Sequence, residues 1–86
     1  MRKVNLFLAA AAALALGGCA TEFDIPASDV PQAVVSGFQQ KYPSVQNPEW
    51  EVEKSEGHLV YEAEFKLDGK RKEAEFKPDG TFVKEE

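Results

Sequence analysis

The stretch Leu59-Val60-Tyr61-Glu62-Ala63-Glu64-Phe65-Lys66-Leu67-Asp68-Gly69 decides the fold. Leu59, Tyr61, Ala63, Phe65 and Leu67 alternate with polar residues. That period of two marks a strand with one buried face. Asp68-Gly69 ends it, and Asp-Gly between alternating runs is a hairpin signal. The segment Glu62–Gly69 then recurs, with one change, as Glu73–Gly80, 11 residues further on. One strand plus one turn fills that offset, so the repeat reads as two successive strands of a meander; two copies are too few for a solenoid.

Working outward, Trp50 and Val52 alternate with Glu49, Glu51 and Glu53, and Phe82 with Val83 begins a last strand. Glu56-Gly57 and Asp79-Gly80 supply the other turns. Two-residue turns set Trp50 opposite Ala63, Val52 opposite Tyr61, Ala63 opposite Ala74, Phe65 opposite Lys72, Tyr61 opposite Phe76, and Phe76 opposite Val83. Nearly all large apolar residues then share one face, which a slip of one residue would scatter. Lys54 and Lys72 are left to snorkel at the rim, and Phe82 falls on the outer face beside Val60.

Upstream, Val30, Val34 and Phe38 recur every four residues with Ala33 and Tyr42 beside them, an amphipathic helix. Asp29 and Gln32 form a capping-box pattern, and Pro31 suits the first turn. Pro43 ends the helix near Tyr42. The expected fold is α+β: one N-terminal helix packed on a four-stranded antiparallel meander, spanning residues 29–86. Ala20–Ser28 reads as a short polar tether reaching at most about 30 Å.

Residues 1–18 form a leader: Arg2 and Lys3, an apolar run from Leu6 to Leu16, then Gly17 and Gly18. About 11 apolar residues fall short of the roughly 20 that cross a bilayer, so this is a signal peptide. Leu16-Gly17-Gly18-Cys19 resembles the bacterial lipoprotein signal, and Cys19 is the only cysteine. That resemblance implies cleavage before Cys19, a lipid anchor on it, and residues 19–28 as lipidated cysteine and tether. One acyl chain binds membranes marginally; two or three make a stable anchor. In such lipoproteins a residue other than aspartate after the cysteine implies the outer membrane, which Ala20 fits; the expected placement faces the periplasm.

Removing the leader leaves 68 residues, one small domain with a modest core. Arg2 and Lys3 leave with it, so the formal charge moves from −5 to −7. That excludes nucleic acid, which needs a basic face, and argues against adhesion to anionic headgroups.

Val30-Pro31-Gln32-Ala33-Val34, Phe38, Tyr42-Pro43, Trp50-Glu51-Val52, Tyr61-Glu62-Ala63-Glu64-Phe65 and a final glycine turn with a short strand together resemble a PepSY-like domain, the group also described as beta-lactamase-inhibitor-like. The resemblance covers residues 29–86 and rests on packing residues. It implies a helix-plus-sheet module of exported bacterial proteins, related to domains in peptidase propeptides that are thought to restrain peptidases.

The outer sheet face is the unusual constellation. The register sets Glu51, Glu62 and Glu75 in one row and Glu49, Glu64 and Glu73 in the next. Like charges directly opposite are unfavourable. The functional reading is a docking face for a cationic protein partner; the alternative is calcium binding by an acidic envelope protein. The plain reading is a solvated face moderated by Lys66, Arg71, Lys77 and Lys84. No EF-hand or His/Cys metal spacing appears, so no metal ligands or cofactor are expected. His58 stands alone by a turn, and Tyr42, Trp50, Tyr61 and Phe65 read as core, so no catalysis is expected. The strands Glu49–Lys54 and Thr81–Glu86 each present a free edge that an extended peptide could extend. The whole reads as a lipid-anchored binding module that docks to or inhibits an envelope protein such as a peptidase.

Overall fold

The computed structural model describes residues 21–86, so Cys19 and the leader lie outside the described residues. Chain order is β1 (Thr21–Ile25), a 3-10 turn (Ala27–Asp29), α1 (Gln32–Lys41), β2 (Glu49–Ser55), β3 (His58–Leu67), β4 (Lys70–Phe76) and β5 (Phe82–Glu85). The strands form one antiparallel sheet in the order β1-β2-β3-β4-β5. Among the described residues, no helix is long and apolar enough to cross a membrane.

This corrects the expected four-stranded sheet with an N-terminal helix. The sheet has five strands and is the larger part of a mostly β domain, and the helix lies between β1 and β2. The extra strand comes from the stretch read as tether. Glu22-Phe23-Asp24-Ile25 alternates acidic with apolar, and pairs with β2 from Thr21↔Lys54 to Ile25↔Trp50. β2 is therefore covered along its outer side, and among the described residues the edges of the sheet are β1 and β5.

The helix also starts later than expected. Val30 is held extended (ψ 131°), as the residue before a proline prefers, and Pro31 is itself extended at the N-cap. Asp29 closes the 3-10 turn instead, its N–H donating to Pro26 O at 2.9 Å, and makes no side-chain cap. At the far end the Tyr42 N–H donates to Phe38 O at 2.8 Å, and Lys41 stands in the last turn, where a cation suits the helix dipole.

The core lies between α1 and one sheet face. Phe38 is its hub, with ring centroids 5.2 Å from Tyr42, 5.6 Å from Trp50, 5.2 Å from Phe65 and 6.2 Å from Phe76. Val30, Val34, Ala63 and Ala74 complete the buried set. Losing the Phe38 ring would cost about 3–5 kcal/mol, a large share of a small domain's stability.

Two of the three turns follow the expected geometry. Glu56-Gly57 and Asp68-Gly69 have positive φ at both residues, as type I′ hairpins require. The third does not. Pro78, Asp79 and Gly80 form a three-residue loop: the Gly80 N–H donates to Lys77 O at 2.8 Å and the Lys77 N–H to Thr81 O at 2.9 Å. Pro78 pre-sets the first turn position, and only Gly80 takes a positive φ, 92°. The extra residue, with a bulge at Glu75/Phe76, puts Phe82 rather than Val83 opposite Phe76. Phe82 thus packs edge-to-face against Phe76 (centroids 5.7 Å apart), with the Lys41 ammonium 4.3 Å from its ring centroid, and does not join the outer face.

This loop is also where the helix touches backbone. A Cβ placed on Gly37 would lie 2.5 Å from Gly80 O, and one on Gly80 would collide with Ala33 O. Gly37→Ala should therefore destabilise the domain by about 1–3 kcal/mol, although alanine favours helix by about 1 kcal/mol. Denaturant unfolding checks this; equal or greater stability would show that the loop moves aside freely.

Candidate functional site

The face opposite the helix has no covering element among the described residues. Its central row reads Asp24–Glu51–Glu62–Glu75–Lys84 across five strands. One flanking row is Glu49–Glu64–Glu73, extended by the backbone pairing of Glu73 with Glu86. The other begins Glu22–Glu53–Val60. Neighbouring strands lie about 4.8 Å apart, so carboxylates face carboxylates with little room between them.

All six glutamates singled out from sequence lie on this face, in the expected register. Glu49 is exposed, Glu51, Glu64, Glu73 and Glu75 are half-buried, and Glu62 is buried with 6% of its surface exposed. Sequence reasoning missed Glu22, Asp24 and Glu53. The signal for the first two was present: Phe23 and Ile25 alternate with them. His58 is exposed at the β2–β3 turn, while Tyr42, Trp50 and Phe65 are core.

Among the described residues, basic groups offset the face only at its margins. Arg71 Nη2 meets Glu64 Oε1 at 3.2 Å, and Lys84 Nζ meets Glu86 Oε2 at 2.8 Å. Glu85 belongs to the helix side. It accepts from the Tyr42 hydroxyl at 2.5 Å and from Lys72 Nζ at 3.1 Å, tying β5 to the helix end. The Tyr42 hydrogen bond, then that from Lys72, hold the Glu85 carboxyl below its ordinary range.

The centre is different. Burial first, then the hydrogen bond with Glu22 and the charges of Glu73, Glu22 and Glu51, push Glu62 up to about 10. Burial, then the charges of Glu64 and Glu22, push Glu51 up to about 8. Glu53 and Glu73 are raised too, chiefly by burial, then by Glu22 and Glu64 respectively. Carboxyl hydrogen bonds join Glu62 to Glu22 and to Glu51. Two carboxylate trios converge here, Glu22–Glu51–Glu62 and Glu53–Glu62–Glu75, with ligand oxygens in each within 4.8 Å of one another. Chemically, this centre must hold protons or a cation.

Set against protein-family models, curated proteins and solved structures, the chain matches none.

The raised groups fix a pH dependence. An ordinary glutamate in the unfolded chain titrates near 4.5. Between there and about 8 for Glu51, or about 10 for Glu62, the folded state keeps protons that the unfolded chain has released. Stability from these groups is full below pH 4.5 and is lost as pH rises through that window. Glu85 acts oppositely, its stabilisation being lost as pH falls through its lowered range. The melting temperature should therefore peak in mild acid, near pH 5, and fall toward pH 9. Glu62→Gln should flatten the alkaline slope and raise Tm at pH 8 by on the order of 5 °C. Thermal melts at constant ionic strength check both; a wild-type Tm that climbs from pH 5 to 9 would contradict the arrangement.

Proposed function

We propose that this protein is an exported, lipid-anchored binding module, a PepSY-like domain without catalytic activity, whose acidic sheet face docks a cationic surface of an envelope protein such as a peptidase. The observation that carries the reading is the uncovered face itself. Its carboxylates stand opposite one another across neighbouring strands, and its bases sit at the rim. A sheet tolerates such opposition at a cost, and a cationic partner would offset it while steering association.

The anchor bears on the geometry. Only Ala20 separates Cys19 from Thr21, the first described position and already part of β1. That distance spans at most about 7 Å. With Cys19 lipidated, the β1 edge would stand at the bilayer surface of the periplasmic leaflet of the outer membrane, and a partner would have to approach equally close. A second reading, cation binding without a protein partner, is favoured by the two carboxylate trios.

Capture from envelope extract tests the docking reading, using the full chain purified in non-ionic detergent beside a variant with Glu49, Glu64, Glu73 and Glu75 changed to Gln. The expected result is one basic protein held by the native chain, lost by the variant, and released as ionic strength rises. Equal capture by both would move the docking site to a sheet edge. Retention of nothing by either, even at low salt, would remove the protein-partner reading.

A further inference from the structure

We propose that Glu22, Glu51 and Glu62 form a calcium site that staples β1 to β2 and β3. The three carboxylates come from three adjacent strands, one from each. Their oxygens lie within 4.8 Å of one another. A calcium ion binds oxygen at about 2.4 Å, so two of its ligands can stand up to about 4.8 Å apart. The trio already has the spread that one ion spans.

A second observation points to a ligand. Glu62 is more than nine-tenths buried and its carboxyl is aimed into the trio. Among the described residues, no lysine or arginine reaches it: the ion pairs are Arg71–Glu64, Lys72–Glu85 and Lys84–Glu86. A buried carboxyl that bonds only to other carboxyls is costly, and a divalent cation removes that cost where no side chain does. The other trio, Glu53–Glu62–Glu75, is less suited. Lys84 stands opposite Glu75 and acts on both Glu53 and Glu75, supplying positive charge there already.

The donor set selects the ion. Carboxylate oxygens without imidazole or thiolate suit hard cations. Magnesium demands near-octahedral ligands at about 2.0–2.1 Å and keeps its waters, so this spread favours calcium. Three carboxylates can offer mono- or bidentate oxygens, and water from the open face can fill the remaining positions.

The consequence falls on β1. It has no buried residue, and only Ile25 is half-buried. Its acidic side chains repel those of β2, since Glu22 faces Glu53 and Asp24 faces Glu51. An ion shared by Glu22, Glu51 and Glu62 would make the strand nearest Cys19 as firm as the centre of the sheet.

Thermal unfolding of the full chain, stripped of metal by chelator and titrated with calcium chloride at fixed pH, tests this. Saturable stabilisation is expected, on the order of 10 °C at about 100-fold excess over Kd. Magnesium chloride at matched ionic strength should shift Tm much less. Glu22→Gln and Glu62→Gln should unfold cooperatively yet lose the calcium shift, whereas Glu75→Gln should keep it. Calcium should also slow amide exchange at Phe23 and Asp24. No calcium shift, an equal magnesium shift, or an unchanged shift in Glu22→Gln would overturn the site. No partner protein enters the titration, so this inference and the docking reading can fail separately.

Discussion

One helix cannot cover both faces of a sheet, and everything else in this domain follows from that. α1 has a single apolar stripe, Val34 and Phe38 flanked by Val30 and Tyr42, and it is spent on one side. Phe38 alone touches four aromatic rings from the helix end and three strands. Gly37 lets the helix come down onto the Pro78–Gly80 loop, and the Tyr42–Glu85 hydrogen bond fastens the last strand beneath it. Among the described residues nothing covers the opposite face, and a face in water demands charge.

Why the charge is so one-sided is the more telling feature. A neutral or mixed polar face would deter aggregation as well. Here the bases stand at the rim, and the most deeply placed side chain of the outer face is a glutamate. Burial and repulsion together keep Glu62 and Glu51 protonated at pH values where free glutamates are ionised. On the functions proposed for it, such a face exchanges protons for a cation, whether an ion or a basic partner. β1 contributes to this charge through Glu22 while contributing little to the core.

Much of this was legible in the residues. Period-two alternation from Trp50 to Phe76 and two Xaa-Gly turns determine the β2–β4 register, because one face must be apolar. The stripe Val30, Val34, Phe38 and Tyr42 places the helix. What escaped had physical reasons. β1 begins two positions after Cys19 and leaves Phe23 exposed, so its short alternation reads as tether. Pro78 converts a two-residue turn into three and moves Phe82 to the helix side, a change that Asp-Gly alone does not announce. The metal-like trios join residues distant in sequence, so no spacing motif could reveal them; only the strand order does.

Everything about this face depends on Glu62 being a buried, protonated carboxyl at its centre. Its titration by NMR, following the side-chain carboxyl carbon in metal-free protein, tests that most directly. The expected midpoint lies far above that of an exposed glutamate, at about 10, with Glu51 at about 8. A Glu62 midpoint near 4.5 would mean an ordinary solvated side chain, and would contradict the reading of this face as a cation-seeking centre.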